Sequence, residues 1–220
     1  KLAAIGELSS NIAHEIRNPL ASLKGSIQML KEDSVTANYK EKLMDIALKE
    51  MDRLNRIITD FLAYSRPGKP EIMQFDLHGL LDETVELLKN MEQTKGHLSI
   101  KKEYNGAMEA TADPQKMKQV FWNLGLNAID AMSENGELTI STRNTGTYIE
   151  IKFKDSGAGI EEKNIGKIFY PFFTTKEEGT GLGLAIAYRI IEEHKGSMHM
   201  ESVSGIGTTF TVILPKIYET

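Results

Sequence analysis

A chain of 220 residues, 40% of them hydrophobic, can bury a real core and is long enough for two modest domains. Its 26 basic and 31 acidic residues leave a formal charge of −5, which argues against a nucleic-acid surface, where clustered Lys and Arg neutralise phosphates. With no cysteine there is no disulfide framework, zinc thiolate or thiol nucleophile, and no apolar run reaches the roughly 20 residues of a membrane-spanning helix.

The N-terminus lacks the graded basic and apolar segments of a signal peptide. Lys1 begins in the middle of a helical pattern without a cap, so the chain is expected to be a cytoplasmic fragment that continues upstream, with room there for an anchor at the inner membrane. Apolar residues at Ile5, Leu8, Ile12, Ile16, Leu20, Leu23, Ile27 and Leu30 recur in steps of three and four, one face of a helix reaching about Lys31. The polar stretch from Glu32 to Asn38 reads as a turn. A second periodic run holds Leu43, Ala47, Met51, Leu54, Ile58 and Phe61, widened by Ile46, Ile57 and Leu62, and stops at Ser65-Arg66-Pro67-Gly68. Two helices of about 30 residues span about 45 Å each, and a lone antiparallel pair leaves such wide stripes in water. A second copy would cover them, which predicts a homodimeric four-helix bundle.

Beyond a linker at 67–74 the period alternates between helix and strand, so residues 1–66 read as a helical hairpin and 75–220 as a second domain. Asp76 can cap a helix carrying Leu77, Leu80, Leu81, Val85, Leu88 and Met91, with Gly96 just past its end. A strand follows around Leu98 to Tyr104. Asp113-Pro114 marks a helix start, N-cap then proline, and that helix runs through Asn127 to about Met132. The stretches Leu138–Thr142 and Tyr148–Phe153 alternate about an Asn144-Thr145-Gly146 turn, as a hairpin should. A short helix near Ile165, a helix from Gly183 to Lys195 and a last hairpin, Met198–Val203 with Thr208–Leu214, complete an α+β sandwich on a mostly antiparallel sheet.

Chemistry concentrates in four stretches. In His14-Glu15-Ile16-Arg17-Asn18-Pro19 the imidazole lies about 200° from Ile12 at ~100° per residue, away from the apolar stripe, and Asn18 shares its face one turn on. A neutral imidazole nitrogen is a competent nucleophile, and an adjoining carboxylate that takes the ring proton raises its electron density. Asn123 and Asn127 are four apart on one helix face, offering two amide oxygens of the hard kind that Mg²⁺ accepts. Asp155-Ser156-Gly157-Ala158-Gly159-Ile160 puts a carboxylate after a strand, at a turn where glycine lets backbone approach a ligand. Gly179-Thr180-Gly181-Leu182-Gly183 opens a helix whose N–H groups and dipole suit phosphate. Each stretch alone has a bland reading: a solvated histidine, capping asparagines, an ordinary turn, or a dinucleotide loop. The last lacks the preceding strand that such a loop requires. His78, His97, His194 and His199 have no ligand spacing and are expected at the surface or at helix ends.

In order, HEIRNP, NLGLNAIDA, DSGAGI and GTGLGL, with FYPFFTTK before the last, resemble the sensor histidine kinases of bacterial two-component systems across essentially the whole chain. The string HEIRNPLASLKGSIQML is similar to their nitrogen-regulation branch. The resemblance implies a dimerisation and histidine-phosphotransfer hairpin followed by a Bergerat-type ATP-binding domain. It makes His14 the phospho-acceptor, Glu15 its base or orienting carboxylate, and Asn18 the residue that positions water for dephosphorylating the partner. Asn127 becomes the Mg²⁺ ligand, supported by Asn123. Asp155 takes the adenine amino group, with Gly157 and Gly159 giving the base room. Gly179, Thr180, Gly181, Leu182 and Gly183 form the phosphate-binding lid, anchored by Phe169, Phe172 and Phe173, and Lys176 neutralises phosphate charge. The implied cofactors are ATP and Mg, and the implied partners are a second copy and a response-regulator receiver domain.

One position departs from the gyrase-like and chaperone relatives of that ATP fold, which carry a water-activating glutamate where this chain has Asn123. Hydrolysis should therefore be slow, leaving the phosphoryl group for a protein nucleophile. The competing expectations are a catalytically silent nucleotide-binding scaffold that recruits a regulator, and a metal-dependent ATPase.

Overall fold

The computed structural model describes the backbone of residues 2–32, 36–65, 69–95, 98–132, 136–176 and 179–216, and side chains throughout these except at 2–11, 13–14 and 92–95. The turn at 33–35, part of the linker at 67–68, Gly96 and His97 lie outside the described residues. The chain forms two compact units, Lys1–Pro67 with Tyr170–Leu182, and Gly68–Phe169 with Gly183–Thr220. Residues 170–182, which the sequence pattern joins to the second domain, thus group with the helices.

In the first unit, α1 (Leu2–Leu30) and α2 (Ala37–Ser65) run antiparallel, as the Glu15–Arg53 ion pair at 3.7 Å requires. Helix α1 continues through Pro19, which is buried. Of the predicted α2 stripe, Leu43 and Ile57 are buried, whereas Met51 and Ile58 are exposed. So are Leu20, Ile27, Leu48 and Leu62, leaving a broad apolar surface on the hairpin.

The second unit holds β1 (Met73–Asp76), α3 (Leu77–Lys95), β2 (Ser99–Glu103), β3 (Glu109–Ala112), α4 (Pro114–Ala131), β4 (Glu137–Asn144), β5 (Tyr148–Asp155), α5 (Glu162–Ile165), α6 (Gly183–Glu193), β6 (Ser197–Val203) and β7 (Gly207–Pro215). Five strands pair in the order β2-β4-β5-β7-β6, antiparallel except for β2 with β4. A separate antiparallel pair, β1 with β3, was not expected from the sequence. Asp76 Oδ1 accepts from His78 N at 3.1 Å, as a helix-opening aspartate should.

Alternation decides the sheet's buried face. Ile149, Ile151 and Phe153 of β5 point inward beside Phe210, Val212 and Leu214 of β7. Helix α4 covers them with Val120, Phe121, Leu124 and Ala128, spaced for one helix face, and Phe121 stacks on Phe153 at 5.9 Å. Strand β5 extends two residues past its predicted end, so Asp155 is the last residue of the strand rather than the first of a loop. The same period of two that buries Phe153 buries Asp155.

Helix α6 ends two residues before its predicted limit. Lys195 adopts φ 57°, and Gly196 N donates to Ile191 O at 2.9 Å, which stops the helix with a left-handed turn. His194 stands just past the end of α6 and is 1% exposed, because the turn that ends the helix carries it inward against Asp113. His78 is half-buried, stacked on Tyr104 at 4.4 Å and bonded to Thr142 Oγ1 at 2.8 Å.

Candidate functional site

The histidine-bearing stretch lies wholly on α1. The backbone puts His14 one turn before Asn18, but the direction of the His14 side chain, expected to face solvent, lies outside the described residues. Arg17 and Asn18 are exposed. Glu15, adjoining His14 in sequence, reaches Arg53 on α2, an interaction that spacing along α1 does not reveal. Both side chains are partly exposed, so the pair orients Glu15 more than it stabilises the hairpin.

On α4 the two asparagines border the buried stripe, beside Leu124 and Ala128, and both are half-buried. Asn127 Nδ2 donates to Asn123 O at 2.9 Å, one turn back, which turns its Oδ1 to the opposite side of the amide. Asn123 Nδ2 donates to Gly183 O at 2.9 Å and so ties α4 to the start of α6. That amide is in structural use and carries no proton-accepting carboxylate.

Asp155 is 5% exposed. Its Oδ1 accepts from Gly157 N at 2.9 Å and from Thr208 N at 3.2 Å. Burial pushes the carboxyl above the usual range, and these two N–H groups oppose the shift. The loop beyond it is closely packed: Ala158 N donates to Ala131 O at 2.9 Å, and Gly205 N to Ala158 O at 2.7 Å. Gly159 has φ 66°, and a Cβ there would overlap the carbonyl of Val203, so only glycine fits. Thr208 is a site neighbour the motif pattern missed, since it lies 53 positions from Asp155.

The glycine loop divides. Gly183 starts α6 in the α+β unit, whereas Lys176, Gly179, Thr180, Gly181 and Leu182 belong to the helical unit. There, Phe172 at φ 66° donates its N–H to Gly181 O at 3.0 Å, and Gly181, at φ 65°, packs so closely on Phe172 that a Cβ would overlap its backbone. Thr180 Oγ1 donates to Asp60 Oδ2 of α2 at 2.9 Å. Burial raises the Asp60 carboxyl above its ordinary range, against the lowering effects of Thr180 and Arg56. Lys176 is exposed, with its N–H on Thr174 Oγ1 at 3.0 Å. Of the aromatic anchors, Phe169 packs in the other unit against Tyr188 at 4.9 Å and Phe210 at 6.5 Å.

Residues 4–70 match the family model of the His Kinase A (phospho-acceptor) domain. Residues 112–217 match that of the histidine kinase-, DNA gyrase B-, and HSP90-like ATPases. The sensor histidine kinase ZraS of Escherichia coli (strain K12) is 37% identical over 216 residues, covering 98% of this chain and 46% of ZraS. The chain therefore spans less than half of that relative. The solved catalytic domain of histidine kinase ThkA is 36% identical, with a TM-score of 0.61 over 66% of this chain and 96% of that one. ThkA in complex with response regulator protein TrrA aligns along 100% of this chain and 64% of that chain, with TM-score 0.86 and 33% identity. With a phospho-acceptor helix pair followed by an ATPase-type sandwich, and with relatives alike at both levels, the chain belongs to the histidine kinases of bacterial two-component systems.

Proposed function

We propose that this chain is the catalytic core of a protein-histidine kinase that passes the γ-phosphoryl group of ATP to His14 and then to an aspartate of a response-regulator receiver domain. The observation that carries this reading is that one chain pairs a histidine-bearing helix with an ATPase-type unit whose Asn123 amide is bonded to Gly183 O and can serve as no base for water. In the first step an imidazole nitrogen attacks the γ-phosphorus, the bond to the bridging oxygen breaks, ADP leaves, and Glu15 takes the ring proton. The second step moves the phosphoryl group to the receiver carboxylate. Asn18, exposed on α1, is suited to orient water for a separate phosphatase mode, in which water takes the phosphoryl group from the receiver aspartate and inorganic phosphate leaves.

Nucleotide fits the residues present. Asp155 holds a buried carboxylate on two backbone N–H groups, a fixed acceptor for the adenine amino group, with the Gly157–Gly159 loop beside it. Lys176 and the 179–183 loop, with its glycines and the start of α6, suit the phosphates. Among the described residues there is no cluster of three or more His, Asp or Glu that could hold a cation by itself. A single Asn127 oxygen with Asn123 near it matches a cation that keeps phosphate and water in its shell, which is the habit of Mg²⁺. When bound, Mg²⁺ would supply charge neutralisation at the phosphates.

The domain reading is 1–66 for dimerisation and phosphotransfer, 67–74 for the linker and 75–220 for ATP binding. The exposed apolar residues on both hairpin helices support a homodimer through the bundle. No described helix is long and apolar enough to cross a membrane, and a cytoplasmic setting suits the chemistry. Incubation with γ-labelled ATP and Mg²⁺ tests the proposal: acid-labile label on the protein is expected. No label would mark a silent scaffold, and rapid free phosphate would mark an ATPase.

A further inference from the structure

Asp113 is a junction of four chain segments. It is 7% exposed, and every polar group it has is used. Oδ1 accepts from Gln115 N at 3.0 Å and Lys116 N at 3.1 Å, capping α4. Oδ2 accepts from Glu71 N at 2.9 Å, on the segment that enters the α+β unit just before β1. Its own N–H donates to His194 Nε2 at 3.1 Å, at the end of α6, and its carbonyl accepts from Met117 N at 2.9 Å. His194 Nδ1 in turn bonds Ile190 O at 2.7 Å, and since Nε2 must accept from the Asp113 N–H, Nδ1 carries the proton.

A second tie stands at the other end of α6, where Asn123 Nδ2, midway along α4, meets Gly183 O. From Asp113 to Asn123 along α4 is about 15 Å, and from Gly183 to His194 along α6 about 16 Å, at ~1.5 Å per residue. The two antiparallel helices are thus pinned at two points one helix length apart. A shift of α6 along α4 would break both bonds and move the start of α6 away from Asn123.

We propose that Asp113 and His194 are positioning residues for nucleotide use: they join the entering segment at Glu71 to α4 and α6 and so fix the register that sets Asn123, one turn before Asn127, against the start of α6. The inference rests on the reading of these residues as a nucleotide site. Displacement of the chain at Glu71 is passed by Asp113 to the asparagine helix without any contact between Glu71 and nucleotide.

The test uses the full chain, a fluorescent ATP analogue, thermal melting and hydrogen exchange at the first amides of α6. His194→Leu removes the acceptor for a buried N–H, and about a tenfold loss of analogue affinity is expected, with faster exchange at Ala185 to Ala187, at temperatures where the protein is fully folded. His194→Gln, whose amide oxygen can stand where Nε2 does, should recover both. Asp113→Ser keeps a capping oxygen but drops the bond to Glu71, and should loosen the start of α6 while melting close to wild type. If His194→Leu lowers only the melting temperature, with affinity and α6 exchange unchanged, or if Gln behaves as Leu does, the proposal is overturned. Wild-type protein that binds the analogue yet never labels His14 would refute the kinase reading and leave this result standing. Should the wild type bind no analogue, the nucleotide reading fails and exchange alone decides whether the clamp sets the register.

Discussion

Asp155→Asn separates nucleotide recognition from fold stability, because it should move them in opposite directions. The amide keeps an oxygen for the N–H groups of Gly157 and Thr208, now at 2.9 and 3.2 Å, but its other atom turns from acceptor to donor. A donor facing the adenine amino group forfeits a hydrogen bond to a charged partner, about 1.5–3 kcal/mol, or roughly ten- to hundredfold in Kd. Stability should not fall with it. Burial raises the Asp155 carboxyl in the folded state, so its contribution to stability is fully present below the unfolded pKa and lost as pH rises through the folded value. At pH 7 the wild type therefore bears a desolvation cost that asparagine lacks. The variant should melt at the same temperature or higher at neutral pH, with the difference closing as pH falls toward about 4. Titration calorimetry with a non-hydrolysable ATP analogue and melts across that pH range measure both. Unchanged affinity, or a melting temperature that drops sharply at pH 7, would refute the assignment of Asp155 to the base.

His14→Gln should abolish stable phosphoprotein while leaving analogue binding intact, read by label retention beside fluorescence titration. Asn127→Asp should use Mg·ATP poorly in single-turnover assays, since an added charge meets the phosphates. At Gly181, alanine brings a left-handed penalty of about 1–2 kcal/mol and an overlap with the Phe172 backbone; KM for ATP should rise with α1 and α2 helicity unchanged by circular dichroism. Sedimentation at micromolar concentration should give the dimer mass, since Leu48 and Leu62, 60% and 51% exposed in one chain, need a partner surface.

What the sequence made legible was local. Strand period and turn residues located β4 and β5, Asp113-Pro114 announced α4, and the spacing of Asn123 and Asn127 put them on one face. Strands β1 and β3 escaped because four residues each, two of them alanine in β3, carry little alternation, and their pairing joins positions more than thirty apart. Lys154 and Asp155 look like a polar strand end, whereas pairing with β4, Thr139 with Lys154 and Leu138 with Asp155, carries the strand through them. Contacts across long separations left no local signal: Thr180 with Asp60, 120 positions apart, and Asp113 with His194, 81 apart. Two glutamates and a lysine surround His194 in sequence and mask its burial, yet its own position continues the apolar face through Ile190 and Ile191.

The most direct measurement is detection of phosphate on the imidazole of His14, by ³¹P NMR and by mass spectrometry at neutral to alkaline pH, after incubation with Mg·ATP. An acid-labile phosphoimidazole at His14 is expected, and it should disappear when a cognate receiver domain is added. Phosphate on another residue, or nucleotide turned over to free phosphate with His14 unmodified, would contradict it.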